Sequence, residues 1–212
     1  MGGEVVDVAI VGFGPVGAVA AGLLGQAGVR VLACDRLPGV YEIPRAIALD
    51  HEIMRVFQQL GVADEVARYC EPFTPSEFFG VDGQLIRRMT MVEPPYPQGY
   101  TPSMVFTQPP VERVLRERVA RLPGVQVELS TECRHVAQDP DGVMLDLQGP
   151  NGHRQVRARY VLACDGGASP VRTQLGLELE DLDFDEPWLV VDVMVNDQGL
   201  AELQSQARAQ QP

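Results

Sequence analysis

Val5-Val6-Asp7-Val8-Ala9-Ile10-Val11-Gly12-Phe13-Gly14-Pro15-Val16-Gly17 decides how this chain folds. The apolar run Val5 to Val11 predicts a strand, a G-x-G-x-x-G turn follows, and the Ala- and Leu-rich stretch up to Gly28 predicts a helix. Strand, glycine turn and helix in that order make a grip for a dinucleotide pyrophosphate. Gly12 permits the tight turn, Gly14 lets the backbone approach the phosphates, and Gly17 lets helix and strand pack closely. The N-terminus of the helix that follows offers N–H donors and a positive dipole end to an anion. A second apolar run, Val29 to Cys34, predicts the next strand and delivers Asp35 to its end. A carboxylate there accepts the hydroxyls of an adenosine ribose. In a chain with 21 glycines an ordinary turn is the competing explanation, and the strand, the helix and Asp35 in register weigh against it.

The length of 212 residues allows one or two domains with a core that needs no staples. A net charge of −12 argues against a nucleic-acid partner, whose phosphates want a basic face. Cys34, Cys70, Cys133 and Cys164 lie far apart and form no C-x-x-C pair, so neither a metal site nor a disulfide framework is indicated. Unpaired cysteines fit a reducing compartment, which makes the cytoplasm the expected location. Glu4 and Asp7 near the start do not suit a secretory signal, and Val6 stands where myristoylation needs Ser or Thr. No apolar run approaches the roughly 20 residues of a membrane helix, so no membrane partner is expected.

Further along, Leu49, Ile53, Val56, Phe57 and Leu60 recur at helical spacing, with Gly61 placed to end the helix. Residues 72 to 104 carry six prolines and a hairpin signal, Asp82-Gly83 between the apolar runs Phe78 to Val81 and Gln84 to Met89. This stretch reads as an excursion out of the dinucleotide-binding domain. Helical spacing returns from Pro109 to Leu122, with Val111, Val114, Leu115, Val119 and Leu122 on one face and arginines over the other. Val125 to Leu129 predicts a strand, and Arg134 to Ala137 with Val143 to Leu147 a hairpin. Val161 to Cys164 predicts a strand running into Asp165-Gly166-Gly167 and a short helix ending near Gly176. Trp188 to Val195 predicts a last strand before a polar tail. The order is that of an α/β, Rossmann-like doubly wound sheet with β-hairpin insertions. The expected domains are residues 1–176, with the excursion at 72–104, and residues 177–212, where a second sheet begins.

Asp165-Gly166 at the carboxyl end of a predicted strand is the second place where such a sheet binds ligands. Together the motifs resemble the FAD-dependent aromatic hydroxylases, the flavoprotein monooxygenases that include p-hydroxybenzoate and 3-(3-hydroxyphenyl)propionate hydroxylases. The resemblance rests on Gly12 to Gly17, Asp35-Arg36, Pro44-Arg45-Ala46, Leu49 to Glu52, Gln108 before the helix bearing Glu112, Cys164 to Gly167 with Val171-Arg172, and Trp188 to Asp192. It implies that Gly12, Gly14, Pro15 and Gly17 hold the pyrophosphate of FAD and that Asp35-Arg36 meet the adenosine ribose. It further implies that Arg45 lies beside the flavin or pyrophosphate, that Gln108 contacts the ribityl-phosphate region, and that Asp165 and Gly166 serve both FAD and incoming NAD(P)H.

Each of these side chains has a plainer role open to it. Arg45 suits a surface ion pair, Gln108 a helix cap, and Arg172 a carboxylate partner. His51 reads as a solvated residue on the polar side of its helix, residues 178 to 186 as a solvated acidic loop, and Met89, Met91, Met104 and Met144 as core filling.

The resemblance also implies the chemistry: NAD(P)H reduces FAD, and the reduced flavin activates O2 to hydroxylate a small phenolic or other aromatic substrate. It points to no metal and to no catalytic residue within this chain. Members of the family are longer and carry a later Gly-Asp flavin motif that is absent here. The expectation is therefore a truncated member, impaired alone, or one completed by a partner chain or a homo-oligomer. A non-catalytic FAD- or dinucleotide-binding module is the alternative. A flavin-dependent halogenase lacks support because no W-x-W-x-I-P stretch occurs, and an NAD-dependent dehydrogenase leaves Asp165-Gly166 unexplained.

Overall fold

The computed structural model describes residues 5–73, 75–90, 93–183, 185, 187 and 195–202. The chain falls into two compact units, Met1–Glu178 and Leu179–Pro212. In the second, residues 197–202 are helical and 179–183 are exposed, as expected of the acidic stretch. The strand expected at Trp188 to Val195 lies outside the described residues except for Val195, which is not in a strand.

The first unit is built on a six-stranded sheet. Its parallel half comprises β1 (Val5–Val11), β2 (Val31–Cys34), β8 (Val125–Glu128) and β11 (Gly152–Ala163), in the order β8-β2-β1-β11. Antiparallel β10 (Gly142–Gly149) and β9 (Glu132–Asp139) extend it beyond β11. Alternation along the strands sorts side chains between two cores. Val8, Ile10, Val31 and Ala33 pack with α1 (Pro15–Gln26), α2 (His51–Leu60), α3 (Ala63–Ala67) and α4 (Gln108–Ala120). Ala9, Val11, Leu32 and Cys34 pack instead with Cys133, Leu145, Leu147, Val156 and Ala158, and with Val171 of α5 (Pro170–Gln174). The mixed α/β sheet is the one the motifs predict, with strands supplying most of its second layer.

Apart from the six-stranded sheet stand three short strands and a hairpin. β3 (Ala48–Asp50), β7 (Ser103–Phe106) and β4 (Cys70–Pro72) form a small antiparallel sheet that the sequence pattern did not announce, because strands of three or four residues carry too little alternation to be seen. β5 (Ser76–Phe79) and β6 (Leu85–Met89) pair around Asp82-Gly83 as expected. Met89 on this hairpin is exposed rather than core filling, whereas Met104 is buried. Met91 lies outside the described residues.

Two helices start where side chains satisfy the unpaired N–H groups of the first turn. Asp50 Oδ1 accepts from the Ile53 N–H at 2.9 Å to open α2, and Gly61 at φ +75° ends it. Phe57 and Leu60 of the anticipated stripe are buried and Val56 packs against the same core, whereas Leu49 belongs to β3, Ile53 is 42 % exposed, and Met54 joins the buried face. Ser169 Oγ opens α5 by accepting from the Arg172 N–H at 3.0 Å. The last long strand begins at Gly152, well before Val161, because the Pro150-Asn151-Gly152 turn joins β10 directly to it.

Candidate functional site

β1 and β11 run side by side and end together, so the loops that follow them meet. The Cys164 N–H donates to the Val11 carbonyl at 2.7 Å and the Gly12 N–H to the Cys34 carbonyl at 2.8 Å. Gly12 is required on two counts: its φ is +98°, and a Cβ there would lie 2.3 Å from the Cys164 oxygen. Gly17 is required by packing, since its Cβ would sit 2.0 Å from the Gly12 oxygen.

Gly14 differs. Its φ of −74° suits any residue, and a Cβ would meet nothing closer than Arg45 Nη2 at 3.9 Å. Nothing among the described residues demands glycine at this position. The side of Gly14 is open to a cleft of about 430 Å³.

That cleft gathers nine of the ten residues singled out from the sequence. Gly12, Gly14, Pro15, Asp35, Arg36, Arg45, Gln108, Asp165 and Gly166 line it, and Gly17 lies behind, against the turn. Residues more than a hundred positions apart thus meet at one end of the parallel strands. Arg36 is exposed at the rim.

Asp35 does more than face the cleft. Its Oδ2 accepts from the Phe13 N–H at 2.7 Å and its Oδ1 from the Leu37 N–H at 2.8 Å. A carboxylate has about four lone-pair sites, so two backbone bonds leave acceptor capacity for a ligand hydroxyl. The same side chain therefore ties the glycine turn to the end of β2.

Gln108 does not cap α4. It is 3 % exposed, and its Oε1 accepts from both the Arg45 and the Ala46 N–H at 2.9 Å. Its function is to hold the loop that carries Arg45. Among the described residues Arg45 makes no ion pair; its guanidinium lies over the Tyr41 ring, 5.3 Å from the centroid. Asp165 Oδ2 accepts from the Val171 N–H at 3.0 Å, and Gly166 has φ +89°. Among the described residues Arg172 pairs with no carboxylate; it donates to the Gly167 carbonyl at 2.8 Å, fixing the loop from within. His51, expected to be solvated, is only partly exposed, and its Nδ1 is buried without a partner among the described residues.

Arg116 escaped the sequence reading, which counted the α4 arginines as surface cover, and Glu112 entered it only as part of the resemblance, with no role of its own. Glu112 is 1 % exposed and pairs with Arg116 at 2.7 Å. Both line the cleft. The signal was present as Gln108, Glu112 and Arg116 at i, i+4 and i+8, a polar column on one helix face.

Burial raises the thiols at the cleft: Cys34 is pushed up to about 12 and Cys133 to about 11. Cys164 is raised too, by burial first and the Asp165 charge second. Such thiols stay protonated and poorly nucleophilic at neutral pH. All four cysteines are free. Among the described residues no cluster of His, Cys, Asp and Glu suits a metal ion, and no helix is long and apolar enough to cross a membrane.

A family model described as FAD binding domain matches residues 5–211. A 3-(3-hydroxy-phenyl)propionate/3-hydroxycinnamic acid hydroxylase from Comamonas testosteroni is 35% identical over 207 residues, which cover 97% of this chain and 35% of the relative. A relative of the same description from Burkholderia vietnamiensis is 39% identical over 189 residues, covering 88% of this chain and 34% of the relative. Among solved structures, p-nitrophenol 4-monooxygenase from Pseudomonas putida DLL-E4 superposes with a TM-score of 0.73 at 29% identity, over 84% of this chain and 45% of that one. The flavin-dependent monooxygenase PieE, solved with FAD and substrate, gives a TM-score of 0.73 at 28% identity, over 84% of this chain and 33% of that one. The chain spans about a third of the length of the curated relatives it matches.

Proposed function

The chain belongs to the FAD binding domain family, and from that premise we propose that it is the FAD-holding portion of an NAD(P)H-dependent flavoprotein monooxygenase that hydroxylates a small phenolic substrate. The observation that carries this reading is Gly14, a glycine that neither backbone conformation nor internal packing requires, open to the cleft beside Arg45. A glycine whose reason is not inside the protein has its reason in what approaches it. At the head of a helix the approaching group is an anion.

In this reading Gly12 to Gly17 shape the turn around the pyrophosphate and Asp35 accepts from the adenosine ribose. Arg45 supplies the cation that a chain of net charge −12 must place locally. Gln108 keeps that cation's backbone in place. Asp165 and Gly166 face the cleft from the β11 side, where the flavin half of FAD and the incoming NAD(P)H are to be met. When bound, the flavin supplies hydride acceptance and O2 activation; the protein supplies binding, orientation and exclusion of water. The raised thiols fit this division, since they add no competing nucleophile. Four free cysteines suit a reducing, cytoplasmic setting.

Titration of the purified chain with FAD, followed by isothermal calorimetry and by the flavin absorption band, tests the proposal. FAD binding that ADP displaces is expected. A chain that takes up FAD without competition from ADP, or that takes up none, refutes it. With FAD loaded, little or no stimulation of NAD(P)H oxidation by phenolic acids is expected of this portion alone, and substrate-stimulated turnover overturns the expectation that it is impaired.

A further inference from the structure

The middle residue of the glycine turn, Phe13, is gripped from three sides. Asp35 holds its N–H at 2.7 Å, Arg116 Nη2 donates to its carbonyl at 2.7 Å, and the Arg116 guanidinium lies over its ring, 5.0 Å from the centroid. The same Nη2 donates to Glu112 Oε1 at 2.7 Å. One nitrogen of α4 thus bridges a buried carboxylate and the backbone of the turn.

We propose that Arg116, held by Glu112, is a positioning residue that sets the Phe13–Gly14 peptide so that its N–H edge faces the phosphates of the dinucleotide; this rests on the FAD-holding function proposed above. A peptide is planar and trans, so fixing the carbonyl on one edge fixes the Gly14 N–H on the opposite edge. Arg116 and Glu112 both line the cleft, yet the hydrogen bonds they make are to each other, to Gln108 and to the turn. Their contribution to binding runs through the backbone.

Arginine suits the position better than lysine does. Its planar group makes two directed bonds while stacking on the ring, and lysine offers a point charge on a mobile stem. The polar column continues to Gln108, whose Nε2 lies 3.5 Å from Glu112 Oε2. Gln108 grips the amides of Arg45 and Ala46. One face of α4 therefore fixes both arms of the cleft, the glycine turn and the Arg45 loop.

The test compares the unmodified chain with Arg116→Lys and with the double variant Glu112→Gln/Arg116→Met, which removes both charges together and leaves no lone buried ion. Calorimetric titration with ADP and, separately, with adenosine splits the phosphate contribution from the rest. The expected result is an ADP dissociation constant raised about tenfold or more, as for loss of a charge-assisted bond, with adenosine changed less than about twofold. In the ligand-free chain, amide exchange at Phe13 should accelerate while exchange in β1 and α1 stays as it was. Equal weakening toward ADP and adenosine, or unchanged Phe13 exchange, overturns the proposal. If the unmodified chain binds neither ADP nor FAD, the FAD-holding function itself falls, and this assignment with it. If it binds both and the variants bind equally well, that function stands and only the clamp is overturned.

Discussion

Replacing Gly12, Gly14 and Gly17 by alanine, one at a time, separates what the fold needs from what the ligand needs. At Gly12 the new Cβ meets the Cys164 oxygen at 2.3 Å in a backbone at φ +98°. Positive-φ strain of about 1–3 kcal/mol adds to overpacking of about another 1–3 kcal/mol. That is a large part of the roughly 5–15 kcal/mol that holds a domain together. At Gly17 alanine is the better helix former by about 1 kcal/mol, but a Cβ 2.0 Å from the Gly12 oxygen forces α1 off the turn. Both variants should melt about 5–15 °C lower or fail to fold, at about 2–4 °C per kcal/mol for a chain of this size.

Gly14→Ala should behave otherwise. The nearest atom to its Cβ is 3.9 Å away and φ is −74°. Reduced unfolded-state entropy stabilises by about 0.4–1 kcal/mol, and the N-cap preference for Gly over Ala offsets it by a similar amount. The melting temperature should move by no more than about 4 °C. Yet the methyl group stands where the anion approaches the turn, so ADP affinity should fall about 10- to 100-fold, the worth of one or two charge-assisted N–H bonds. Thermal melting paired with calorimetric titration reads both quantities. A Gly14→Ala chain that is as unstable as Gly12→Ala, or that binds ADP like the unmodified chain, refutes the reasoning that the ligand alone requires this glycine.

Asp35→Ala removes the acceptor for two backbone amides, and loss of about 1–3 kcal/mol of stability should accompany weaker adenosine binding, seen by denaturant titration and calorimetry on one sample. Gln108→Leu keeps the volume and strands the Arg45 and Ala46 amides; exchange at those two amides should accelerate, and unchanged exchange contradicts the loop-holding role. For Cys34, burial raises the folded-state value above the unfolded one, so its stabilising effect is full below about pH 9 and is lost as pH climbs toward about 12. Cys34→Ala should flatten that alkaline loss in melts taken from pH 8 to 11, and native Cys34 should resist alkylation at pH 8.

The parts legible in the sequence were those whose demands are written in glycines and apolar periodicity. The G-x-G-x-x-G turn, the strands around it and the Asp82-Gly83 hairpin have few local alternatives, so pattern and structure agree. What stayed hidden depends on a third partner. Arg116 on an amphipathic helix has the look of a solvated residue, and only the approach of Phe13, 103 positions away, brings it inside. Gln108 before two prolines reads as a cap, and only the Arg45 loop, 63 positions away, reveals what its oxygen holds. Leu49 and Ile53 fit the helical stripe because periodicity cannot know that β7 will claim Leu49 for an edge of sheet.

Asp35 shows how the two kinds of information combine. The sequence placed it at the end of β2 to accept from a ligand, and the structure has both of its oxygens already accepting from the protein. A carboxylate bound to the turn remains an acceptor, because two of its about four lone-pair sites stay open. The consequence is a coupling: a ligand hydroxyl drawn to Asp35 and a phosphate drawn to the Gly14 N–H pull on the two successive peptide planes that meet at the Phe13 Cα. Adenosine and diphosphate should therefore bind more tightly as one molecule than their separate affinities imply, and loosening Phe13 through Arg116 should reduce that advantage before it reduces the stability of the sheet.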